Sequence, residues 1–212
     1  MLELDRILGL GPVICVVVID DARDAVALAE ALVEEGLPAI EVTLRTPAAA
    51  AAIAAMSEVP GAVVGAGTVL NADDVARSID SGARFLVSPG LTDNVAHAAA
   101  QRRAPLLAGV ASASDIMRGL DLGLRQFKFF PAEASGGVNM LRAFHGPFPD
   151  VRFCPTGGVT ALNADHYLAL PNVACVGGSW IVPRGALDVG AVRLAARAAS
   201  TLRRSGSESQ PS

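Results

Sequence analysis

The chain has 212 residues, of which 51% are hydrophobic and 4% are aromatic, and its formal net charge is −4. This length fits one domain, and a core of Val, Ile, Leu and Ala is typical of a buried parallel sheet covered by helices. The acidic balance provides no basic field for nucleic acid or an anionic membrane surface. The apolar runs are shorter than the roughly 20 residues needed to span a bilayer. We therefore expect a soluble protein without nucleic-acid or membrane partners.

Short apolar runs alternate with helical segments along the whole chain. The runs predict eight strands, at Val13–Ile19, Ala39–Thr43, Ala62–Ala66, Arg84–Ser88, Leu106–Val110, Arg125–Phe129, Val151–Cys154 and Val173–Val176. A helix is predicted after each strand, at Ala22–Glu35, Pro47–Glu58, Ala72–Ser81, Thr92–Arg103, Ser112–Leu122, Val138–Phe144, Asn163–Ala169 and Leu187–Arg204. Asn71 is well placed to cap the third of these helices.

Eight strand-and-helix units in one chain of this length predict a single (β/α)₈ TIM barrel of the α/β class. A doubly wound open sheet shares the alternation, but eight units without a larger linker favour the barrel. We expect the barrel domain to occupy residues 1–204 and a short N-terminal helix at Leu2–Leu10 to close its bottom. The polar segment 205–212 predicts a disordered tail.

Three cysteines, Cys15, Cys154 and Cys175, lie far apart in apolar runs. An odd count without CxxC spacing argues against a disulfide framework, and buried reduced thiols are typical of cytoplasmic proteins. The N-terminal segment contains acidic residues and lacks the cationic and apolar regions of a signal peptide. We therefore expect a cytoplasmic location.

Lys128 is the most informative residue, because it is the only lysine among 17 basic residues. It lies in the predicted sixth strand between Phe127 and Phe129, which is a poor environment for a solvated charge. Arginine stays charged near neutral pH, whereas a desolvated lysine can become a neutral amine, the nucleophile that forms an iminium with a ketone. The alternative is a structural lysine that reaches solvent or pairs with Glu133.

Glu41 interrupts the apolar second strand, where alternation places it on the same face as Thr43. Burying an unpaired carboxylate is costly, so an acid at such a position is usually paired or functional. Two interpretations are open: a general acid/base, or a structural ion pair with Arg45, which follows the same strand.

Paired glycines follow the predicted strands seven and eight, at Gly157–Gly158 and Gly177–Gly178. Barrel enzymes place their chemistry at the C-terminal ends of the strands, and the loops after strands seven and eight commonly bind phosphate, with backbone N–H groups as donors. A tight turn alone would explain one glycine pair. Two pairs at these two strands favour a phosphate site.

Competing motifs are weak. Gly65–Leu70 begins like a dinucleotide-binding fingerprint but has leucine where the last glycine belongs. His97, His145 and His166 fall in or beside predicted helices without metal-ligand spacing, so we expect no metal site. Trp180 is compatible with the mouth of a site or with packing at the barrel edge.

Six segments, in order, resemble the signatures of the 2-keto-3-deoxy-6-phosphogluconate (KDPG) / 4-hydroxy-2-oxoglutarate (KHG) aldolase family. They are EVTLRT (Glu41–Thr46), VGAGTVLN (Val64–Asn71), SPGLT (Ser88–Thr92), FKFFPAE (Phe127–Glu133), RFCPTGGV (Arg152–Val159) and GGSW (Gly177–Trp180). The resemblance extends from about Gly11 to Pro183. It implies a metal-free class I aldolase, an aldehyde-lyase, which forms a covalent imine and cleaves KDPG to pyruvate and glyceraldehyde 3-phosphate. It also implies a cyclic homotrimer.

The resemblance implies roles for individual residues. Lys128 would form the Schiff base, and Glu41 would be the general acid/base. The residues implied to contact the substrate are Arg45, Thr68 and Pro89 at the pyruvyl end, Phe130 beside the lysine and Thr156 at the sugar hydroxyls. The residues implied to bind phosphate are Gly157, Gly158, Gly177, Gly178 and Ser179. Two alternatives stay open: a different main substrate (KHG or the galactonate epimer of KDPG), and a non-catalytic phosphosugar-binding barrel.

Overall fold

The strands of this protein are parallel and close into a barrel. The structure, a computed structural model, describes residues 4–202. Its strands are β1 Val13–Val17, β2 Ala39–Thr43, β3 Val63–Gly67, β4 Phe85–Val87, β5 Leu106–Val110, β6 Gln126–Phe129, β7 Arg152–Pro155 and β8 Val176–Gly178. They pair in the order β7-β6-β5-β4-β3-β2-β1-β8, and two parallel bridges, Phe153 to Val173 and Thr156 to Gly177, join the outer two. The predicted (β/α)₈ barrel is confirmed.

A helix follows each strand, and one more precedes the barrel. The helices are α1 Leu4–Leu8, α2 Ala25–Glu34, α3 Ala49–Ser57, α4 Ala72–Asp80, α5 Asp93–Gln101, α6 Ala113–Asp121, α7 Gly137–His145, α8 Ala164–Leu168 and α9 Val189–Ser200. Asn71 caps α4 by accepting a hydrogen bond from the Asp74 N–H at 2.9 Å, as predicted. Ser112 and Asp115 form a capping box at the start of α6.

The largest difference between the predicted and observed strands is in β8, predicted at Val173–Val176 and found at Val176–Gly178. The apolar run suggested the earlier position, because glycine is a weak strand former. In the barrel, however, Gly177 and Gly178 pair with Ile14 and Cys15 of β1. These two glycines therefore lie within β8 and do not form a turn after it.

Other predicted boundaries change by a few residues. The predicted Ala22–Glu35 helix divides into a 3₁₀ turn, Ala22–Asp24, and α2. The predicted Pro47–Glu58 helix begins at Ala49. The last helix ends at Ser200, and the tail predicted at 205–212 lies outside the described residues.

Side chains of the strands, most of them near the N-terminal ends of the strands, form a small buried core with helix α1. Ile7 and Leu8 of α1 are buried in this core. Its other buried members are Ile14, Ala39, Val63, Phe85, Val87, Leu107, Cys154 and Cys175. Helix α1 therefore closes the bottom of the barrel, as predicted, and leaves the opposite end, where the strands terminate, for chemistry.

Cys15, Cys154 and Cys175 are buried free thiols, and burial raises the pKa of the Cys15 thiol. Between Leu4 and Leu202, the structure contains no helix long and apolar enough to cross a bilayer.

Candidate active site

Lys128 of β6 and Glu41 of β2 form a buried ion pair inside the barrel. Lys128 Nζ lies 3.0 Å from Glu41 Oε1 and 3.3 Å from Oε2, and the two side chains are only 7% and 3% exposed. The two structural pairings considered from the sequence are not formed. Arg45 is exposed beyond the end of β2, and Glu133 accepts a hydrogen bond from Tyr167.

Glycines on β3 create the space that Glu41 occupies. A Cβ atom at Gly67 would lie 2.2 Å from Glu41 Oε1, closer than any real contact. Gly65, on the same face of the strand, makes equivalent room for the Phe85 ring, whose Cζ would lie 2.4 Å from a Cβ there. Gly67 was not predicted as a site residue. Two glycines spaced by two in one strand were the available signal, because glycine within a strand often marks a close approach.

Gly109 of β5, next to Lys128, leaves space in the same way, here for the loop after β4. The two residues are paired in the β5–β6 register, and a Cβ at Gly109 would lie 2.2 Å from the Pro89 carbonyl oxygen. The loop after β4 therefore enters the barrel mouth next to the lysine strand. This contact brings the predicted site residue Pro89 into the neighbourhood of Lys128.

The ring of Phe130 connects the ion pair to the loop after β7. Lys128 Nζ lies 5.3 Å from the centre of this ring, within the range in which a cation is attracted to an aromatic face. On the other side, a Cβ at Gly157 would lie 3.2 Å from the ring. Phe130 is thus beside the lysine, as the resemblance implied, and close to Gly157, one of the predicted phosphate-binding residues.

Gly157 and Gly158 form a turn immediately after β7, with φ angles of +93° and +80°. This left-handed conformation favours glycine. The N–H groups of both residues donate no hydrogen bond to any residue between Leu4 and Leu202. Ser179, the first residue after β8, is exposed. Free backbone N–H groups in a turn can bind an anion, so the Gly157–Gly158 turn is suited to a phosphate group.

Gly177 and Gly178 contribute differently from the prediction, since they lie within β8. A Cβ at Gly177 would lie 2.1 Å from Thr156 Oγ1, and one at Gly178 would lie 2.5 Å from Trp180 Cζ3. The two glycines therefore allow the buried Thr156 side chain and the half-buried Trp180 ring to pack against β8. Trp180 packs at the barrel edge, which was one of its two interpretations.

Three further predicted residues lie at the barrel rim, where the C-terminal ends of the strands meet: Arg45 after β2, Thr68 after β3 and Pro89 after β4. Their side chains form no hydrogen bond or ion pair with Lys128 or Glu41 in the part of the chain that the structure describes. Thr68 has a φ angle of +60°, which is a strained conformation for a β-branched residue. Such strain is common at functional sites.

Metal ligands are not grouped in residues 4–202, where no three His, Cys, Asp or Glu side chains are arranged to hold an ion. His97, His145 and His166 are exposed, in agreement with their interpretation as surface residues.

Comparison with known proteins identifies the family. The sequence pattern of the aldolase family described as KDPG and KHG aldolase matches residues 4–196. The KHG/KDPG aldolase of Escherichia coli (strain K12) is 51% identical to this chain over 187 residues, which are 88% of either chain.

Two solved structures share the fold. The 2-keto-3-deoxy-6-phosphogluconate aldolase of Zymomonas mobilis ZM4 with 3-phosphoglycerate is 52% identical, with a TM-score of 0.93 over 95% of this chain and 97% of that one. The KDPG aldolase of Legionella pneumophila, with pyruvate captured at low pH as a covalent carbinolamine intermediate, is 45% identical. Its TM-score is 0.91 over 94% of this chain and 99% of that one. Because the family pattern and these relatives match nearly the whole barrel, this chain belongs to the KDPG and KHG aldolase family.

Proposed function

We propose that this protein is a class I aldolase that cleaves KDPG to pyruvate and glyceraldehyde 3-phosphate through an imine on Lys128. The observation that carries the proposal is the buried pair, with Lys128 Nζ 3.0 Å from Glu41 Oε1. Burying two charges is expensive, and a non-catalytic phosphosugar-binding barrel would have no need of this pair. The covalent carbinolamine of the Legionella relative supports amine chemistry in this fold.

Imine formation uses both members of the pair. The Glu41 carboxylate takes a proton from the Lys128 ammonium, and the neutral amine attacks the C2 carbonyl of the substrate. A proton moves from nitrogen to oxygen, giving a carbinolamine. The C2 hydroxyl then leaves as water with the proton held by Glu41, and the lone pair of nitrogen forms the iminium. Glu41 is a carboxylate again at the end of this step.

Carbon–carbon cleavage follows, with the iminium as the electron acceptor. Glu41, acting through a water molecule, accepts the proton of the C4 hydroxyl, and the C3–C4 bond breaks as glyceraldehyde 3-phosphate is released. The electron pair of that bond moves into the iminium and produces an enamine. Glu41 returns the proton to C3, and hydrolysis frees pyruvate and Lys128. General acid/base steps of this kind typically contribute roughly 10²–10⁴-fold in rate.

The rim supplies the substrate contacts in this proposal. Arg45 binds the pyruvyl carboxylate through a bidentate pair, Thr68 and Pro89 line the same end, and Phe130 packs beside the imine. Thr156 contacts the sugar hydroxyls and bears on the preference between C4 epimers.

The phosphate accepts hydrogen bonds from the Gly157–Gly158 turn and from Ser179, which Gly177 and Gly178 bring to the rim. The phosphorylated ligand in the Zymomonas structure supports this end of the site.

A second activity, cleavage of KHG to pyruvate and glyoxylate, is favoured by the name of the Escherichia coli relative. KHG has the same 2-keto acid end as KDPG and lacks the phosphate. We therefore expect both substrates to use Lys128 and Glu41, and KDPG alone to use the Gly157–Gly158 turn.

The proposed enzyme is a cytoplasmic homotrimer without a cofactor, as the family resemblance implies. The buried thiols fit a reducing compartment. Light scattering measures the assembly directly, and a monomer or dimer would contradict the trimer.

Trapping the imine tests the proposed function. Incubation with pyruvate and borohydride should reduce the iminium to a stable amine and add one pyruvate-derived group, which peptide mass spectrometry should locate on Lys128, the only lysine of the chain. Lys128→Arg should give no adduct and no activity, because a guanidinium does not form the imine. Omission of pyruvate is the control. No adduct, or an adduct only on the N-terminal amine, would contradict the mechanism.

A further inference from the structure

A second polar contact, between the buried Tyr167 and the exposed Glu133, lies beside the site and has no part in the chemistry described above. The hydroxyl of Tyr167, on α8, donates a hydrogen bond to Glu133 Oε1. Tyr167 is 0% exposed, and it is the only tyrosine of the chain. Burial raises the pKa of the Tyr167 hydroxyl, and the hydrogen bond and charge of Glu133 raise it further. The phenol is therefore a permanent donor near neutral pH.

Glu133 contacts the Gly157–Gly158 turn with both its backbone and its side chain. Its N–H donates to the Gly157 carbonyl at 3.1 Å, and the preceding N–H, of Ala132, donates to the Thr156 carbonyl at 2.8 Å. The methylene groups of Glu133 fill the space beside Gly158, where a Cβ would lie 2.5 Å from Glu133 Cγ and 2.7 Å from Glu133 Cβ. The position of the Glu133 side chain thus determines where the turn can lie.

The other side of the turn is held by Asn163. Its side-chain Nδ2 donates to the Gly158 carbonyl at 3.1 Å, while its Oδ1 accepts from the Thr160 N–H at 2.7 Å. Two successive glycines with positive φ have a large conformational freedom. Without these contacts, ordering the turn around a ligand would reduce the affinity for that ligand.

We propose that Tyr167 and Glu133 are positioning residues that fix the Gly157–Gly158 turn for the phosphate of the substrate. This inference rests on the proposed function. Glu133 is not a phosphate ligand itself, because a carboxylate repels a phosphate. The hydrogen bond from Tyr167 fixes its carboxylate, so that its methylene groups support Gly158. The turn that binds the phosphate is therefore held in place by the hydrogen bond between Tyr167 and Glu133, neither of which contacts the phosphate.

Tyr167→Phe tests the proposal, since it removes the hydroxyl and preserves the buried ring. The wild type and the variant are compared on KDPG and on KHG, which lacks the phosphate. Hydrogen bonds to charged groups are stronger than those between neutral groups. We therefore expect the ratio of kcat/KM for KDPG to that for KHG to fall by about 10-fold or more. Cleavage of KHG should stay at the wild-type level. Inorganic phosphate should also become a weaker competitive inhibitor of KHG cleavage.

Four further variants calibrate the test. Glu133→Gln keeps an acceptor oxygen and both methylene groups, so it should retain most of the preference for KDPG. Glu133→Ala should lose this preference, and Glu30→Ala on the exposed face of α2 should not. Gly158→Val, whose side chain would overlap Glu133, is the reference for a displaced turn. Thermal unfolding of each variant monitors the fold.

Specific results would overturn the inference. An unchanged KDPG/KHG ratio in Tyr167→Phe and Glu133→Ala would show that the turn does not need this pair, while the proposed function would stand. Equal losses on both substrates would show that the pair only stabilises the barrel. Wild-type activity without inhibition by inorganic phosphate would place the phosphate elsewhere. Failure of the proposed function would show separately, as a wild type that forms no pyruvate adduct and cleaves neither substrate, and would overturn the inference with it.

Discussion

Glu41 and Lys128 belong to strands that face each other across the barrel, yet their charged groups are 3.0 Å apart. In the closed order of strands, β2 and β6 are separated by the same number of strands in both directions. Gly67 leaves the room that the Glu41 carboxylate occupies. Removing one member of a buried pair leaves an uncompensated charge and is destabilising, so substitutions must preserve size and hydrogen bonding.

Glu41→Gln keeps the size of the side chain and one acceptor for Lys128 but removes the base. We expect trapping of the pyruvate imine to continue slowly and kcat for KDPG to fall by at least about 10²-fold. Steady-state kinetics of pyruvate release measure this, with Glu30→Gln as the control on an exposed carboxylate. A kcat near that of the wild type together with reduced thermal stability would mean that Glu41 only balances the charge of Lys128.

Gly67→Ala tests whether the space beside Glu41 is needed for activity. The added Cβ would lie 2.2 Å from Glu41 Oε1, so the carboxylate must move away from Lys128. We expect kcat to fall, as in Glu41→Gln. Circular dichroism should show that the barrel is still folded. Gly146→Ala is the matched control, because its Cβ would meet only the Ala143 carbonyl oxygen, at 4.0 Å. Wild-type turnover in Gly67→Ala would show that Glu41 need not stay in contact with Lys128.

Thr68→Gly should keep or raise the stability of the protein while it lowers its activity. The φ angle of +60° at Thr68 is strained, typically by about 1–3 kcal/mol, and glycine removes this strain while increasing the entropy of the unfolded chain. We therefore expect an equal or higher melting temperature together with a lower kcat/KM, because the Thr68 hydroxyl is lost. Arg103, which has a φ angle of +52° and is exposed at the end of α5, is the control. Arg103→Gly should match the stability change without the loss of activity.

Exhaustive treatment with EDTA should leave activity unchanged. The proposed imine withdraws electrons from the C3–C4 bond, a function for which other aldolases would need a divalent ion. Activity before and after chelation, at equal ionic strength, measures this. Loss of activity that Mg²⁺ or Mn²⁺ restores would indicate metal-dependent cleavage.

Local patterns in the sequence predicted much of the barrel. The bounds of β2 and β5 agree with the prediction residue for residue, because each is a compact, mostly apolar run between segments with helical periodicity. The position of β8 could not be predicted in the same way. Its glycines have no strand signal of their own, and their pairing with β1 is a consequence of barrel closure.

For the site, too, the sequence predicted individual residues better than the contacts between distant ones. The uniqueness of Lys128 identified it from the sequence, but its partner did not follow from spacing. The near neighbours Glu133 for Lys128 and Arg45 for Glu41 were reasonable structural partners, whereas the observed pair joins residues 87 positions apart. The Tyr167–Glu133 contact spans 34 positions. The first contact depends on the closure of the sheet, and the second on the packing of α8 beside the loop after β6; local periodicity encodes neither.

The 6% exposure of Lys128 has a practical consequence for labelling. Succinimidyl dyes, amine-reactive resins and lysine crosslinkers attach to exposed ε-amines, and this barrel has none on its folded surface, because its surface cations are arginines. Introducing one lysine at an exposed arginine of an outer helix, such as Arg142→Lys on α7, would therefore create a single ε-amine attachment point. A fluorophore or surface could be coupled there without contact with the barrel interior.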